Sequence, residues 1–241
     1  MNKAQPALIH TTPPRVPDNT RVYAIGDIHG RRDLLDRLLA TIAKDCVDAP
    51  KRRVLVTLGD YIDRGPDSCG VIERLAGLHT SPPFQDFSLC FLKGNHEQLM
   101  EQFINGENDG HLWMNCGGRE TLNSYGAKLS AHSITKRLPK HHRQFLSKMV
   151  LMSREGDYAF AHAGVRPGVG LSKQAAEDVL WIRARFLNAT TDFGAVIVHG
   201  HTPVDIPDVL DNRIGIDTRA WASGTLTALV LEGAEQRFLS T

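Results

Sequence analysis

The sequence has little cysteine and no clustered thiols. Its four cysteines are scattered along 241 residues and none is part of a CxxC pair: Cys46, Cys69, Cys90 and Cys116. This scatter argues against a disulfide framework and against a zinc ribbon, because both need paired or closely spaced thiols. We therefore expect free thiols and a cytoplasmic location.

The sequence also lacks a surplus of charge and a long apolar run. Its net charge of +1 provides no basic excess for nucleic acid and no polybasic segment for a membrane. No run approaches the roughly 18 apolar residues that span a bilayer. Residues 1–20 contain several prolines but no continuous apolar stretch, so we predict a proline-containing N-terminal arm there rather than a signal peptide.

Five short apolar runs are present, each typical of a buried strand and each followed by polar residues. The polar segments are residues 26–30 (GDIHG), 59–65 (GDYIDRG), 94–97 (GNHE), 162–164 (HAG) and 199–202 (HGHT). In open α/β sheets, functional groups gather beyond the carboxyl ends of the strands. The simplest interpretation is one site supplied by five strand ends.

The residue types in these segments are metal ligands. Asp, Asn and His suit Mn, Fe or Zn. Asp27 and His29 are two residues apart, so in extended chain they point to one side and can hold one ion together. Asp60 has two carboxylate oxygens and can bridge to a second ion. The remaining candidate ligands are Asn95, His162 and either His199 or His201, between which spacing alone does not decide. Two ions roughly 3.5–4 Å apart can clamp an in-line displacement at phosphorus, so the pattern predicts phosphate-ester hydrolysis.

In this order, the segments resemble the signature blocks of the metallo-dependent phosphoprotein phosphatases: GDxHG, GDxxDRG and GNHE, then a histidine-rich block. That family belongs to the calcineurin-like metallophosphoesterase superfamily. The resemblance implies a four-layer α/β/β/α sandwich, with a single domain over residues 21–241. It also implies two divalent ions, Mn²⁺ in the first place with Fe or Zn as alternatives. Six side chains would hold them: Asp27, His29, Asp60, Asn95, His162 and His201.

The resemblance further implies how the reaction proceeds. A hydroxide that bridges the two ions would attack phosphorus, and His96 would protonate the leaving oxygen while Asp63 fixes its tautomer. Arg64 and Arg183 would hold the phosphate oxygens, because a guanidinium can bind two oxygens at once. Arg166 competes with Arg183 for that role.

Several functions fit this resemblance. A bacterial or bacteriophage-type serine/threonine protein phosphatase is favoured, because Asp63 precedes Arg64 and the third segment ends in Glu97. The alternative is a symmetrical diadenosine tetraphosphatase, a dinucleoside polyphosphate hydrolase; that branch usually replaces this Asp and commonly has GNHD. A nuclease or cyclic phosphodiesterase would normally have GHxH, whereas this chain has GHTP. A module that binds phosphoproteins without turnover would lack a ligand or the acid. We expect a phosphorylated protein or peptide as partner; oligomeric state stays open.

The rest of the chain predicts the surroundings of the site. Strands alternate with helices at first, whereas residues 105–156 lose this alternation and predict a cap-like insertion. A basic amphipathic stretch within it predicts a solvated helix face that includes His141 and His142. Glu97 is predicted to orient or cap rather than react. Trp221 is predicted to be a packing residue.

Overall fold

Two five-stranded mixed sheets lie at the centre of the computed structural model, which describes residues 12–241. From edge to edge, the first sheet contains β10 (Glu235–Ser240), β9 (Thr227–Glu232), β1 (Thr20–Ile25), β2 (Arg52–Thr57) and β3 (Ser88–Phe91). β1, β2 and β3 run parallel, and β9 and β10 extend the sheet in antiparallel fashion. The carboxyl ends of β1, β2 and β3 therefore meet at one edge.

The second sheet is also mixed, but it has a parallel centre and an antiparallel strand at each edge. Its strands, in order, are β4 (Met152–Glu155), β5 (Tyr158–Ala161), β6 (Val196–His199), β8 (Arg213–Gly215) and β7 (Asp208–Val209). β5, β6 and β8 are parallel to one another. The five apolar runs of the sequence coincide with β1, β2, β3, β5 and β6, so these predicted strands are confirmed.

Helices cover the outer faces of the sheets and occupy most of the segment between β3 and β4. The α-helices are α1 (Arg32–Asp45), α2 (Ser68–Ala76), α3 (Asn95–Ile104), α4 (His111–Trp113), α5 (Arg119–Ser124), α6 (Ala131–Arg137), α7 (Lys140–Ser147), α8 (Ala176–Trp181), α9 (Ala184–Leu187) and α10 (Ala220–Ser223). Short 3₁₀ turns lie at Cys46–Asp48, Leu78–Thr80, Phe84–Asp86 and Leu171–Lys173, and Met114–Gly118 is π-helical.

Side-chain alternation in the strands explains the layers. In β1, Val22 and Ala24 point into the core between the two sheets, whereas Tyr23 and Ile25 point to the helices outside. Phe160 of β5 fills the same inter-sheet core from the other side. Both faces of each sheet are apolar and must be covered, because exposing one such side chain costs about 1.5–3 kcal/mol. The predicted α/β/β/α sandwich is confirmed.

The predicted cap segment, residues 105–156, is mostly helical, but its last part belongs to the sandwich. α4 to α7 pack beside α2 and α3. Residues 152–155 form β4 of the second sheet, which pairs with β5. The helical insertion therefore ends before Met152, and its action as a cap stays a prediction.

The predicted N-terminal arm lies partly outside the described residues, which begin at residue 12. From there the chain packs on the sandwich: Val16 is buried in the inter-sheet core, and its N–H donates to the carbonyl of Gly233. A domain boundary at residue 20 stays a prediction. None of the helices in this described part has the length and apolar character needed to span a bilayer.

Candidate active site

Six parallel strands end on one side of the two sheets, and buried polar side chains follow each of them. After the first sheet come Asp27, His29, Asp60, Asn95 and His96; after the second come His162, His201 and Asp217. Hydrogen bonds join the two sets, for example from the N–H of His201 to Asp27 Oδ2 at 2.9 Å. The structure thus brings all six predicted metal ligands into one buried region.

Asp60 presents its two carboxylate oxygens to different imidazoles. Its Oδ2 lies 3.5 Å from His29 Nε2, and its Oδ1 lies 3.4 Å from His162 Nε2. Two groups of donor atoms, each spanning no more than 4.8 Å, share Asp60: one includes His29 and His96, the other His162 and His201. This division is what a carboxylate bridging two ions requires.

The contacts of His162 fit a cation held between the ligands. Its Nδ1 lies 2.8 Å from the carbonyl oxygen of Leu58, which can only accept, so Nδ1 carries the proton and Nε2 has a lone pair. Burial lowers the pKa of His162 to about 3, so the ring is neutral. Its Nε2 nevertheless lies 2.8 Å from Asn95 Oδ1, which is also an acceptor. Two acceptors at that distance repel unless a positive charge lies between them.

Other buried atoms also lack protein partners. Asp27 Oδ1, His29 Nε2 and His201 Nε2 find no hydrogen-bond partner among residues 12–241. His29 directs its Nδ1 to a backbone carbonyl at 2.9 Å, the usual arrangement of a metal-binding imidazole. Burial lowers the pKa of His201 to about 2, so this ring is neutral as well. Neutral imidazoles beside carboxylates fit divalent ions of the Mn, Fe or Zn type.

The backbone is strained where it carries these groups. Seven non-glycine residues in the described part of the chain have left-handed φ, and five of them lie in the site: His29, Asp60, Asp63, Arg64 and His201. Each such residue costs about 1–3 kcal/mol and persists where the surroundings enforce it. At Gly200, a Cβ would lie 1.9 Å from Asp27 Oδ1, so only glycine leaves room for that carboxylate.

Glu97 holds the loop that carries Asp60. Its carboxylate accepts hydrogen bonds from the backbone N–H groups of Asp60, Tyr61 and Gly94 at 3.0, 2.9 and 2.9 Å. The side chain is buried at the start of α3. These contacts agree with the prediction that Glu97 orients its neighbours.

Asp63 and His96 form a buried pair beside the ligand groups. His96 Nδ1 lies 2.6 Å from Asp63 Oδ2. Asp63 also accepts from Trp113 Nε1 at 2.9 Å and from Thr121 Oγ1 at 2.6 Å. Burial raises the pKa of Asp63 to about 8, and the Thr121 and Trp113 hydrogen bonds oppose that shift. Arg64 Nη2 donates to His96 Nε2 at 3.2 Å, so His96 is neutral with its proton on Nδ1.

The three predicted phosphate-binding arginines have different surroundings. Arg64 stacks on Trp221, with its guanidinium carbon 5.4 Å from the ring centroid. Arg183 is exposed at the start of α9, and its charge helps to lower the pKa of the buried His162. Arg166 is engaged by Asp178 through two hydrogen bonds of 2.7 and 2.8 Å. The structure therefore leaves Arg64 and Arg183 as the better candidates for an incoming phosphate.

Several residues of the site were missed or misassigned from sequence. Asp217 was missed, although it follows the carboxyl end of β8, where functional groups are expected. Burial raises the pKa of the neighbouring Asp27 carboxyl, and the charge of Asp217 raises it further. Trp221, predicted to pack, is 42% exposed beside Arg64, so that prediction is wrong. His199, the alternative to His201, packs against Phe186 instead of joining the ligand groups.

A two-sheet α/β sandwich with buried carboxylate and imidazole donors at its strand ends defines a metal-dependent hydrolase. A family model described as calcineurin-like phosphoesterase matches residues 20–221. The chain therefore belongs to the calcineurin-like phosphoesterase family, a family of phosphoester hydrolases that use divalent metals.

Relatives with two kinds of substrate match over most of the chain. Serine/threonine-protein phosphatase 2 of Escherichia coli K12 is 30% identical over 217 residues, which are 86% of this chain and 90% of that protein. The asymmetrical bis(5'-nucleosyl)-tetraphosphatase PrpE of Anoxybacillus flavithermus is 30% identical over 229 residues, 85% of this chain and 88% of that protein. The cold-active protein-tyrosine phosphatase of a psychrophilic Shewanella has the same fold, with a TM-score of 0.62 at 18% identity over 93% of this chain and 83% of that one.

Proposed function

We propose that this chain is a serine/threonine protein phosphatase that hydrolyses phosphomonoesters with two divalent ions. The observation that carries the proposal is the Asp63–His96 pair, buried next to the ligand groups and held by Trp113 and Thr121. How much this pair contributes to catalysis depends on the leaving group of the reaction.

A serine or threonine alkoxide is a poor leaving group, so it must receive a proton as the P–O bond breaks. His96 Nε2 lies 3.7 Å from Asp60 Oδ2, on the side of the ligand groups, while Asp63 holds Nδ1. Nε2 must first take up a proton, which requires Arg64 to turn from it toward the substrate. A nucleotide anhydride expels a phosphate, which leaves with less help. A dedicated proton donor therefore supports an ester substrate.

The remaining side chains have roles in binding. The first ion would be held by Asp27, His29 and Asp60, and the second by Asp60, Asn95, His162 and His201. When bound, the ions would activate water as the nucleophile and offset the phosphate charge; Mn²⁺ is our first choice and Fe or Zn the alternatives. Arg64 and Arg183 would bind the non-bridging phosphate oxygens.

Hydrolysis of dinucleoside polyphosphates is the second candidate. The PrpE relative of that activity matches most of the chain, and the exposed ring of Trp221 offers a surface on which a base could stack. The name of that relative describes it as an asymmetrical enzyme. The symmetrical enzyme of Acidovorax is 45% identical over a shorter stretch of 76 residues, 32% of this chain, so the symmetrical reaction expected from sequence stays part of this second candidate.

One comparison tests the proposal. The kcat/KM values for phosphoserine, phosphothreonine and phosphotyrosine peptides are measured beside that for diadenosine tetraphosphate at one Mn²⁺ concentration. We expect a phosphoserine or phosphothreonine peptide to be preferred. A preference for the dinucleotide would establish the second candidate instead. Full metal binding without turnover of any substrate would indicate a phosphate-binding module and overturn both. An Asp60→Asn variant controls for contaminating phosphatase.

A further inference from the structure

We propose a second, separate metal site formed by Glu73, His141 and His142, which binds a Zn²⁺-like transition ion and fixes α7 to α2. Glu73 lies in α2, and the two histidines lie at the start of α7, almost seventy residues further along the chain. Their donor atoms lie within 4.8 Å of one another. None of the three belongs to the candidate active site.

The three side chains already converge on one point. His141 Nε2 and His142 Nε2 each lie 2.7 Å from the same oxygen of Glu73, Oε2. The two imidazole rings meet edge to face, with centroids 4.5 Å apart. Two imidazoles and one carboxylate form a donor set that zinc uses when water takes its fourth position.

The arrangement is compact but can open to accept an ion. Ligands of a tetrahedral zinc lie roughly 3.3 Å apart, so the present 2.7 Å contacts must lengthen by about half an ångström. The side chains of Glu73 and His141 are 56% and 53% exposed and can move. Both line an open cavity of about 450 Å³ through which an ion and water can enter.

His142 provides the rigid part of the site. The sequence pattern predicted a solvated histidine, but the side chain is fully buried, because α7 turns this residue toward α2 and toward Tyr125, which follows α5. Its Nδ1 lies 2.9 Å from the hydroxyl of Tyr125, which donates to Nδ1 while the single ring proton is on Nε2. The same oxygen can accept a proton from Nδ1 once Nε2 binds a metal. Metal-binding histidines are usually oriented by such a contact at their other nitrogen.

The protonation states also suit metal binding. Burial lowers the pKa of His142, and the hydrogen bonds from the two histidines lower the pKa of Glu73. At neutral pH His142 is therefore a neutral imidazole and Glu73 a carboxylate. Neither needs to release a proton to bind a metal, because the ring proton of His142 can move from Nε2 to Nδ1. An ion here would close a long chain segment and stabilise the helical insertion against the first helical layer.

The experiment measures zinc stoichiometry on the full chain by equilibrium dialysis against free Zn²⁺. Glu73→Gln keeps an oxygen that accepts from the histidines but removes the anionic ligand, and His141→Gln removes one imidazole. His111→Gln is the matched control, because His111 is an exposed histidine beside a single carboxylate, Asp109. We expect Glu73→Gln and His141→Gln to bind about one Zn²⁺ fewer than the parent and the control.

Thermal unfolding provides a second measurement. Zn²⁺ should raise the Tm of the parent and of His111→Gln by more than it raises the Tm of Glu73→Gln and His141→Gln, because the active-site contribution is common to all four. The Tm values without zinc verify that each variant is folded. If Glu73→Gln does not fold, the half-exposed His141→Gln decides the question. Equal zinc stoichiometry in all four proteins would overturn the proposal and leave a hydrogen-bonded triad.

Discussion

Replacing His96 with Asn tests the proposed proton donor most directly. Asn can still donate to Asp63 from about the place of the imidazole Nδ1, so the buried carboxylate, which also accepts from Trp113 and Thr121, keeps its partners. No atom of Asn reaches the position of Nε2. The substitution therefore removes proton delivery and leaves the surrounding hydrogen bonds in place.

The expected loss depends on the leaving group. For a phosphoserine peptide, removing a general acid should lower kcat by about 10² to 10⁴, or ~2.7 to ~5.4 kcal/mol in activation free energy. For p-nitrophenyl phosphate, whose leaving phenolate needs little protonation, the loss should stay within about tenfold. The ratio of the two losses isolates proton transfer from other effects of His96→Asn.

The assay compares both substrates at saturating Mn²⁺ and measures bound metal in the same samples. Metal content should be unchanged, because His96 is not one of the six proposed metal ligands. His111→Asn serves as control for a histidine substitution on the surface. Equal losses on the two substrates would refute the proposed proton transfer. A loss of bound metal would instead make His96 a ligand, which its 3.7 Å distance from Asp60 Oδ2 also permits.

Other perturbations have equally definite outcomes. Chelation of divalent ions should abolish turnover and Mn²⁺ should restore it; a rate that resists chelation would contradict the proposed mechanism. Glu97→Gln should lower the free energy of unfolding, measured by urea denaturation, by about 1–3 kcal/mol. The single amide oxygen of Gln cannot accept from all three buried N–H groups that the two carboxylate oxygens bind. Gly200→Ala should weaken metal affinity by displacing Asp27, whereas Gly170→Ala, with open space around its position, should not. Trp221→Ala should raise KM about 2- to 5-fold with kcat little changed, as expected for loss of a stacking contact of ~0.5–1 kcal/mol; an unchanged KM would remove Trp221 from the site.

The sequence alone predicts the strands and the donors that follow them. A buried strand, its terminal glycine and the ligand beyond it are adjacent in the chain, so their pattern can be read locally. The carboxyl ends of parallel strands meet at one edge of a sheet, independently of the rest of the sequence, and the ligands that follow the strands meet there too. For this reason Asp27, Asp60 and Asn95 could be expected together before any coordinates.

Contacts between distant segments needed the tertiary structure. Spacing left His199 and His201 equivalent, but His199 ends β6 with its ring against Phe186, whereas His201 lies beyond the strand among the ligands. Likewise, nothing local to Arg166 indicates its pair with Asp178.

The chemistry of the chain was thus determined by short local patterns, and its fine arrangement by packing. Trp113 and Thr121 contact Asp63 from 50 and 58 residues further along the chain, and the burial of His142 depends on how α7 meets α2. Hydrophobic periodicity reports which face of one element is buried, but not which other element covers it. Which element covers that face depends on how all the layers pack together, so it can be seen only in the folded structure.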